Sequence, residues 1–135
     1  MADQTKPEGA GIQLKPAHFP GRAPVDTYGN GGFRFADMSH KGSILCLPSG
    51  IYGWSVGEAS ELTAATLKRV LAEPDLEIVL IGTGDNLIPL KPALREAFSN
   101  NGMRAEVMST GAAARTFNVL LAEGRSVGAA LIAVD

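Results

Sequence analysis

Hydrophobic positions follow two regimes along this chain. Up to about residue 56 they alternate with polar residues over short stretches broken by glycine and proline; beyond that they fall into unbroken runs or recur at helical spacing. Ile78-Val79-Leu80-Ile81 is an apolar run that stops at Gly82-Thr83-Gly84, and Ala105-Glu106-Val107-Met108 runs into Ser109-Thr110-Gly111. Each reads as a strand ending in a Thr-Gly turn. If the two strands are parallel neighbours, both turns lie on one edge of one sheet, where open α/β sheets present their sites.

Three helices follow from the same pattern. Thr63 is placed to cap a helix from about Ala64 to Ala72, with Leu67, Val70 and Leu71 inward and Glu73-Pro74 as its stop. Leu90, Ala93, Leu94, Ala97 and Phe98 form an apolar stripe, with Pro92 in the first turn and Gly102 as a left-handed cap. A third helix, about Ala112 to Glu123, carries Ala113, Phe117, Leu120 and Leu121 on one face. Strands over Glu77–Ile81, Arg104–Met108 and Ser126–Val134 alternate with these helices. That order predicts an α/β domain with a mainly parallel sheet and right-handed crossovers.

The first half reads differently. Phe33-Arg34-Phe35, Ser43–Leu47 and Ile51–Val56 look like three short strands of an antiparallel meander, with Pro48-Ser49-Gly50 as a hairpin turn. Tyr28–Gly32 and Met38–Gly42 read as turns. The meander either extends the sheet or covers one side of it. Tyr52 and Trp54 share a face of the third strand and are the candidate contacts for a protein partner, although paired aromatics also serve as core. Residues 1–11 read as a flexible arm ahead of a single domain over 12–135, and prolines at 7, 16, 20 and 24 exclude a helix there. Ile12, Leu14, Phe19 and Val25 give the later arm something to pack with, whereas His18 lacks any partner at metal-ligand spacing.

Length and composition agree with this picture. At 135 residues, 45% hydrophobic and 19% charged, the chain is long and apolar enough for one packed core. A net charge of −2, with no basic run longer than Lys68-Arg69, excludes non-specific nucleic-acid binding. No segment approaches the roughly 18 apolar residues of a membrane helix, so the chain reads as soluble and cytoplasmic, without membrane insertion. Cys46 is the single cysteine, which excludes an internal disulfide and makes it a small buried hydrophobe within Ile44–Leu47. No metal site and no cofactor are expected, and nothing in the pattern fixes an oligomeric state.

The candidate chemistry is confined to the two turns. Gly82-Thr83-Gly84-Asp85 lacks the third glycine of a dinucleotide fingerprint and the Lys-Ser/Thr of a phosphate loop, so its glycines are explained by a sharp turn. Ser109-Thr110-Gly111 opens a helix whose exposed amides suit an anion. Arg115, in the second turn, is disfavoured by the helix dipole and has three readings: a solvated surface residue, a partner for an acid such as Asp85, or a contact for an anionic ligand or partner. Gly82, Thr83, Gly84, Asp85, Ser109, Thr110, Gly111 and Arg115 are therefore the candidate ligand site. No nucleophile elbow or carboxylate pair appears, so no catalytic residue is assigned.

Tyr28–Phe35, Pro48–Trp54, Leu80–Gly84 and Met108–Leu120 together resemble a small family of unknown function related to mitochondrial complex I assembly factor 3. The resemblance spans residues 12–134. It implies a three-layer α/β domain with a mixed five-stranded central sheet, a last strand antiparallel to the others, and an added β element. It supplies no catalytic residue or cofactor. The chain lacks an Arg-rich transit pattern, so a mitochondrial setting is not carried over. Two functions remain open: a non-enzymatic binding or assembly-assisting module whose partner belongs to a membrane respiratory complex, and a small-molecule or anion binder or enzyme working at the edge shared by the two Thr-Gly turns.

Overall fold

The computed structural model describes residues 19–135, which form two sheets, three α-helices and a short 3-10 turn (Ala59–Glu61). The arm over 1–11, with Ile12, Leu14 and His18, lies outside the described residues. Strands β1 (Thr27–Gly29), β2 (Gly32–Phe35) and β3 (Met38–Lys41) make an antiparallel three-stranded sheet. Strands β4 (Ser43–Leu47), β5 (Gly50–Trp54), β6 (Ile78–Gly82), β7 (Arg104–Met108) and β8 (Val127–Leu131) make a second sheet in the order β5-β4-β8-β6-β7. The helices are α1 (Lys68–Leu71), α2 (Pro92–Asn100) and α3 (Thr110–Ala122).

The large sheet is the middle of three layers, and residue alternation along its strands assigns the two cores. Leu45, Leu47, Val79, Ile81, Ala130 and Ile132 point to one face, packing with Trp54, Val70, Leu94 and Phe98 under α1 and α2. Ile44, Cys46, Ile78, Leu80, Ala129 and Leu131 point to the other, packing with Ala113 and Phe117 of α3 and with Phe33 and Phe35 of the small sheet. Strands buried on both faces explain the unbroken apolar runs of β6 and β8. Each fully buried Leu, Ile or Phe contributes roughly 1.5–3 kcal/mol.

The strand directions correct one expectation. β8 pairs parallel with β6, and β6 parallel with β7, whereas β4 is antiparallel to both β5 and β8. The strand running against the rest is thus β4, not the last one. The β4–β5 hairpin reverses direction, and the two helix crossovers keep β6, β7 and β8 parallel, which leaves β4 as the opposed strand.

The single meander is also corrected. The first strand of the expected meander belongs to the small sheet, and Met38–Lys41 is a strand rather than a turn. Asn30-Gly31 and Ala36-Asp37 form the two-residue hairpin turns, all four residues having positive φ. The first helix is shorter than its pattern suggested. Thr66 Oγ donates to the carbonyls of Glu61 and Thr63, and the Thr66 amide donates to Thr63 Oγ, so side chains compete with helical bonding until Lys68. The other two helices begin and end close to expectation, and Gly102 takes the left-handed cap at φ +71°.

Residues 19–26 lie across the domain, as their apolar positions suggested. The Phe19 carbonyl accepts from the Ile51 amide at 2.9 Å, and Ala23 and Val25 are buried.

Candidate functional site

β6 and β7 are parallel neighbours, so the turns that follow them share one rim. Their helices leave to opposite faces: α2 packs in the core with Leu94 and Phe98, α3 in the other with Ala113 and Phe117. That divergence makes the gap between the ends of β6 and β7 a topological switch point, where open sheets leave a crevice.

Here the crevice is stitched shut. The Thr83 amide donates to the Met108 carbonyl at 2.9 Å, and the Thr110 amide to the Gly84 carbonyl at 2.8 Å. Thr110 Oγ1 accepts from the Gly84 amide at 3.0 Å and donates to the Ile132 carbonyl at 2.7 Å. Ile132 in turn donates its amide to the Gly82 carbonyl at 3.0 Å. Thr110 is fully buried and Thr83 nearly so. The two Thr-Gly corners therefore meet, and their hydroxyls bind backbone rather than facing outward.

The amides at the start of α3 are largely taken as well. Thr110 N is held by Gly84, Ala113 N by the Ser109 carbonyl, and Ala112 N by Ser109 Oγ at 3.4 Å. Ser109 is the N-cap, with extended backbone at φ −63° and ψ 156°. Gly111 is covered by Tyr28, whose hydroxyl and ring would collide with any Cβ there.

Thr83 has a further task. Its Oγ1 accepts from the Ile88 amide at 3.0 Å and donates to the Asn86 carbonyl at 2.6 Å, which fixes the loop from β6 to α2. That loop walls an open cleft of about 510 Å³ whose lining includes Glu58, Leu62, Gly84, Asp85, Ile88 and Lys91. Leu87 and Ile88 on it are exposed, at 56% and 45%. Across the cleft, Glu61 accepts the Gly57 and Glu58 amides, and those bonds hold its carboxyl below the usual carboxylate range.

Arg115 lies elsewhere. It lines a smaller cleft of about 310 Å³ with Val25, Asp26, Thr27, Tyr28 and Asn118, and its Nη1 donates to the Tyr28 hydroxyl at 3.3 Å. Asp85 belongs to the first cleft, so the structure does not gather the eight candidate positions into one pocket. Gly82, Thr83, Gly84, Ser109, Thr110 and Gly111 form the seam; Asp85 and Arg115 sit on separate sides of it.

Of the two readings open for Trp54, partner contact and core, its placement is that of a core residue. It is 9% exposed and its Nε1 donates to the Thr66 carbonyl at 2.7 Å. Tyr52 is half-buried, with its hydroxyl 2.7 Å from Ser49 Oγ and the Arg69 guanidinium 4.0 Å above its ring centre. Cys46 is buried, and desolvation pushes its thiol up to about 12. Among the described residues no group of three or more His, Cys, Asp or Glu is placed to hold a metal ion. Nor is any described helix long and apolar enough to cross a membrane.

Two positions escaped the residue-by-residue reading. Asn118 binds both polar groups of Val25, accepting its amide and donating to its carbonyl, each at 2.8 Å. Tyr28 joins β1 to the start of α3. Both residues fall inside the stretches on which the family resemblance rests, and that was the available signal.

The chain is 35% identical over 122 residues to mouse (Mus musculus) NADH dehydrogenase (ubiquinone) 1 alpha subcomplex assembly factor 3, covering 90% of this chain and 66% of that protein. It thus spans just under two thirds of that relative's length. An uncharacterized protein of Rhodobacter capsulatus is 39% identical over 114 residues, covering 84% of this chain and 87% of its own. The crystal structure of an outer membrane protein from Bartonella henselae matches with a TM-score of 0.84 at 57% identity, covering 87% of this chain and 100% of that one. The family profile of a protein of unknown function (DUF498/DUF598) matches residues 25–132, and the chain belongs to that family.

Proposed function

We propose that this protein is a non-enzymatic binding module that assists assembly of a respiratory complex by engaging one of its protein components, working in the cytoplasm. The observation that carries this reading is the similarity to proteins named as complex I assembly factor 3, which extends over 90% of the chain. The stitched switch point supports it, because Thr83 and Thr110 use their hydroxyls to hold loops rather than to meet a ligand. The exposed Leu87 and Ile88, displayed by a pinned loop, offer a surface for a partner.

Affinity capture with the tagged full chain from solubilised membranes and from the cytosolic fraction tests this reading. Enrichment of subunits of one respiratory complex supports it, and their absence from both fractions overturns it. A second reading, a small-molecule or anion binder, is favoured by the open 510 Å³ cleft and by Arg115 beside Tyr28. Its ligand positions would be Gly84 and Asp85 on one side and Arg115 on the other. A thermal-shift screen against carboxylates and phosphorylated metabolites decides it, a rise in Tm abolished by Asp85→Ala or Arg115→Ala being the supporting result.

A further inference from the structure

The two edges of the large sheet are treated differently. β5 is met by the segment at Phe19, which forms a bridge to Ile51. β7, at the other end of the strand order, has no strand beside it among the described residues. It carries no bulge and no proline; the charges on it are Arg104 and Glu106, one of each sign.

The hydrogen-bond directions along β7 are fixed by its inner neighbours. Arg104 donates its amide inward to Glu77, and the Met108 carbonyl accepts inward from Thr83. Residues 104, 106 and 108 therefore direct their backbone groups into the sheet, so Ala105 and Val107 direct theirs outward. An added strand must pair with Ala105 and Val107.

The side chains then select the register. Arg104 and Glu106 lie on one face of β7, 73% and 49% exposed, with Arg104 Nε 3.3 Å from Glu106 Oε2. When two copies of β7 pair antiparallel about a twofold axis at Ala105, Arg104 of each stands opposite Glu106 of the other. Moving the axis to residue 106 sets Glu106 against Glu106, and moving it to Val107 sets Glu106 against Met108. The first arrangement brings together two opposite-charge pairs and exchanges hydrogen bonds at Ala105; like charges directly opposite are unfavourable.

We propose that β7 is a self-pairing edge: two copies of this chain join antiparallel about Ala105 into one continuous sheet, with reciprocal Arg104–Glu106 pairs fixing the register. The proposal is independent of the assembly role. Sedimentation velocity across a concentration series into the millimolar range tests it on four proteins: the wild type, Arg104→Glu, Glu106→Arg and the double exchange. The wild type is expected to dimerise. Each single exchange creates two like-charge pairs and weakens the dimer by at least about tenfold, and the double exchange restores it. Both positions are exposed, so circular dichroism should show all four folded alike. A wild type that stays monomeric, or a dimer indifferent to both single exchanges, overturns the proposal.

Discussion

A Cβ built on Gly82 would stand 2.8 Å from the Cα of Thr110, closer than real side chains approach backbone. The two Thr-Gly corners are in van der Waals contact at this point, and glycine is what allows it. Gly82→Ala should therefore force the corners apart and lower stability by roughly 1–3 kcal/mol. Urea denaturation measures this; an unchanged midpoint would show that the seam is looser than its distances.

Thr110→Val keeps the shape and removes the hydroxyl. The Gly84 amide and the Ile132 carbonyl lose their partner, at about 1–3 kcal/mol for each group left unsatisfied in the interior. Thr110→Ser should retain most of the stability, because it keeps the oxygen. Thermal melts of the two variants separate the hydrogen bonds from the lost volume.

Asn118 closes the segment around Val25 with a pair of bonds that only an amide side chain can make. Asn118→Asp replaces the donor to the Val25 carbonyl with an acceptor, and Asn118→Leu removes both bonds. Each should speed proteolytic cleavage within residues 19–26 while the sheet core keeps its amide-exchange protection. Equal cleavage rates in wild type and variants would refute the clamp.

The Cys46 thiol is predicted to resist alkylation in the folded protein at pH 8 and to react fully in denaturant. The linkage has a definite sign. The folded pKa, about 12, lies above the 9.0 of an unperturbed thiol, so the unfolded chain releases this proton first. The contribution is complete below about pH 9 and is lost as pH rises towards 12. Cys46→Ala should flatten that alkaline decline, which denaturation series at several pH values would detect.

Legibility in the sequence followed how each element is held. β6, β8, α2 and α3 are specified by long apolar patterns and standard caps, so their positions could be read directly. β3 was missed because Ala36-Asp37 turn with positive φ at both residues, a backbone that alanine seldom takes and that leaves no glycine signal. α1 was overextended because a 3.6-residue period cannot reveal that Thr63 and Thr66 bind backbone groups. For the site, the shared rim was legible because parallel strands force it. That its threonines would close the rim was not, since a strand's apolar pattern carries no information about hydroxyl partners across 22 residues of chain. Trp54 could be read as partner contact or as core because alternation gives a side chain's face but not what covers that face.

β8 is the last strand along the chain and the middle strand of the five. Spatial order and synthesis order are thereby opposed. The β4–β5 hairpin and the β6–α2–β7 unit emerge first from the ribosome as two half-sheets with no strand in common, each offering an open edge. Only when residue 131 is free can the keystone slide between them, pairing with β4 on one side and β6 on the other. Until then the nascent chain has exposed strand edges on both fragments, and chaperone contacts should concentrate in that interval.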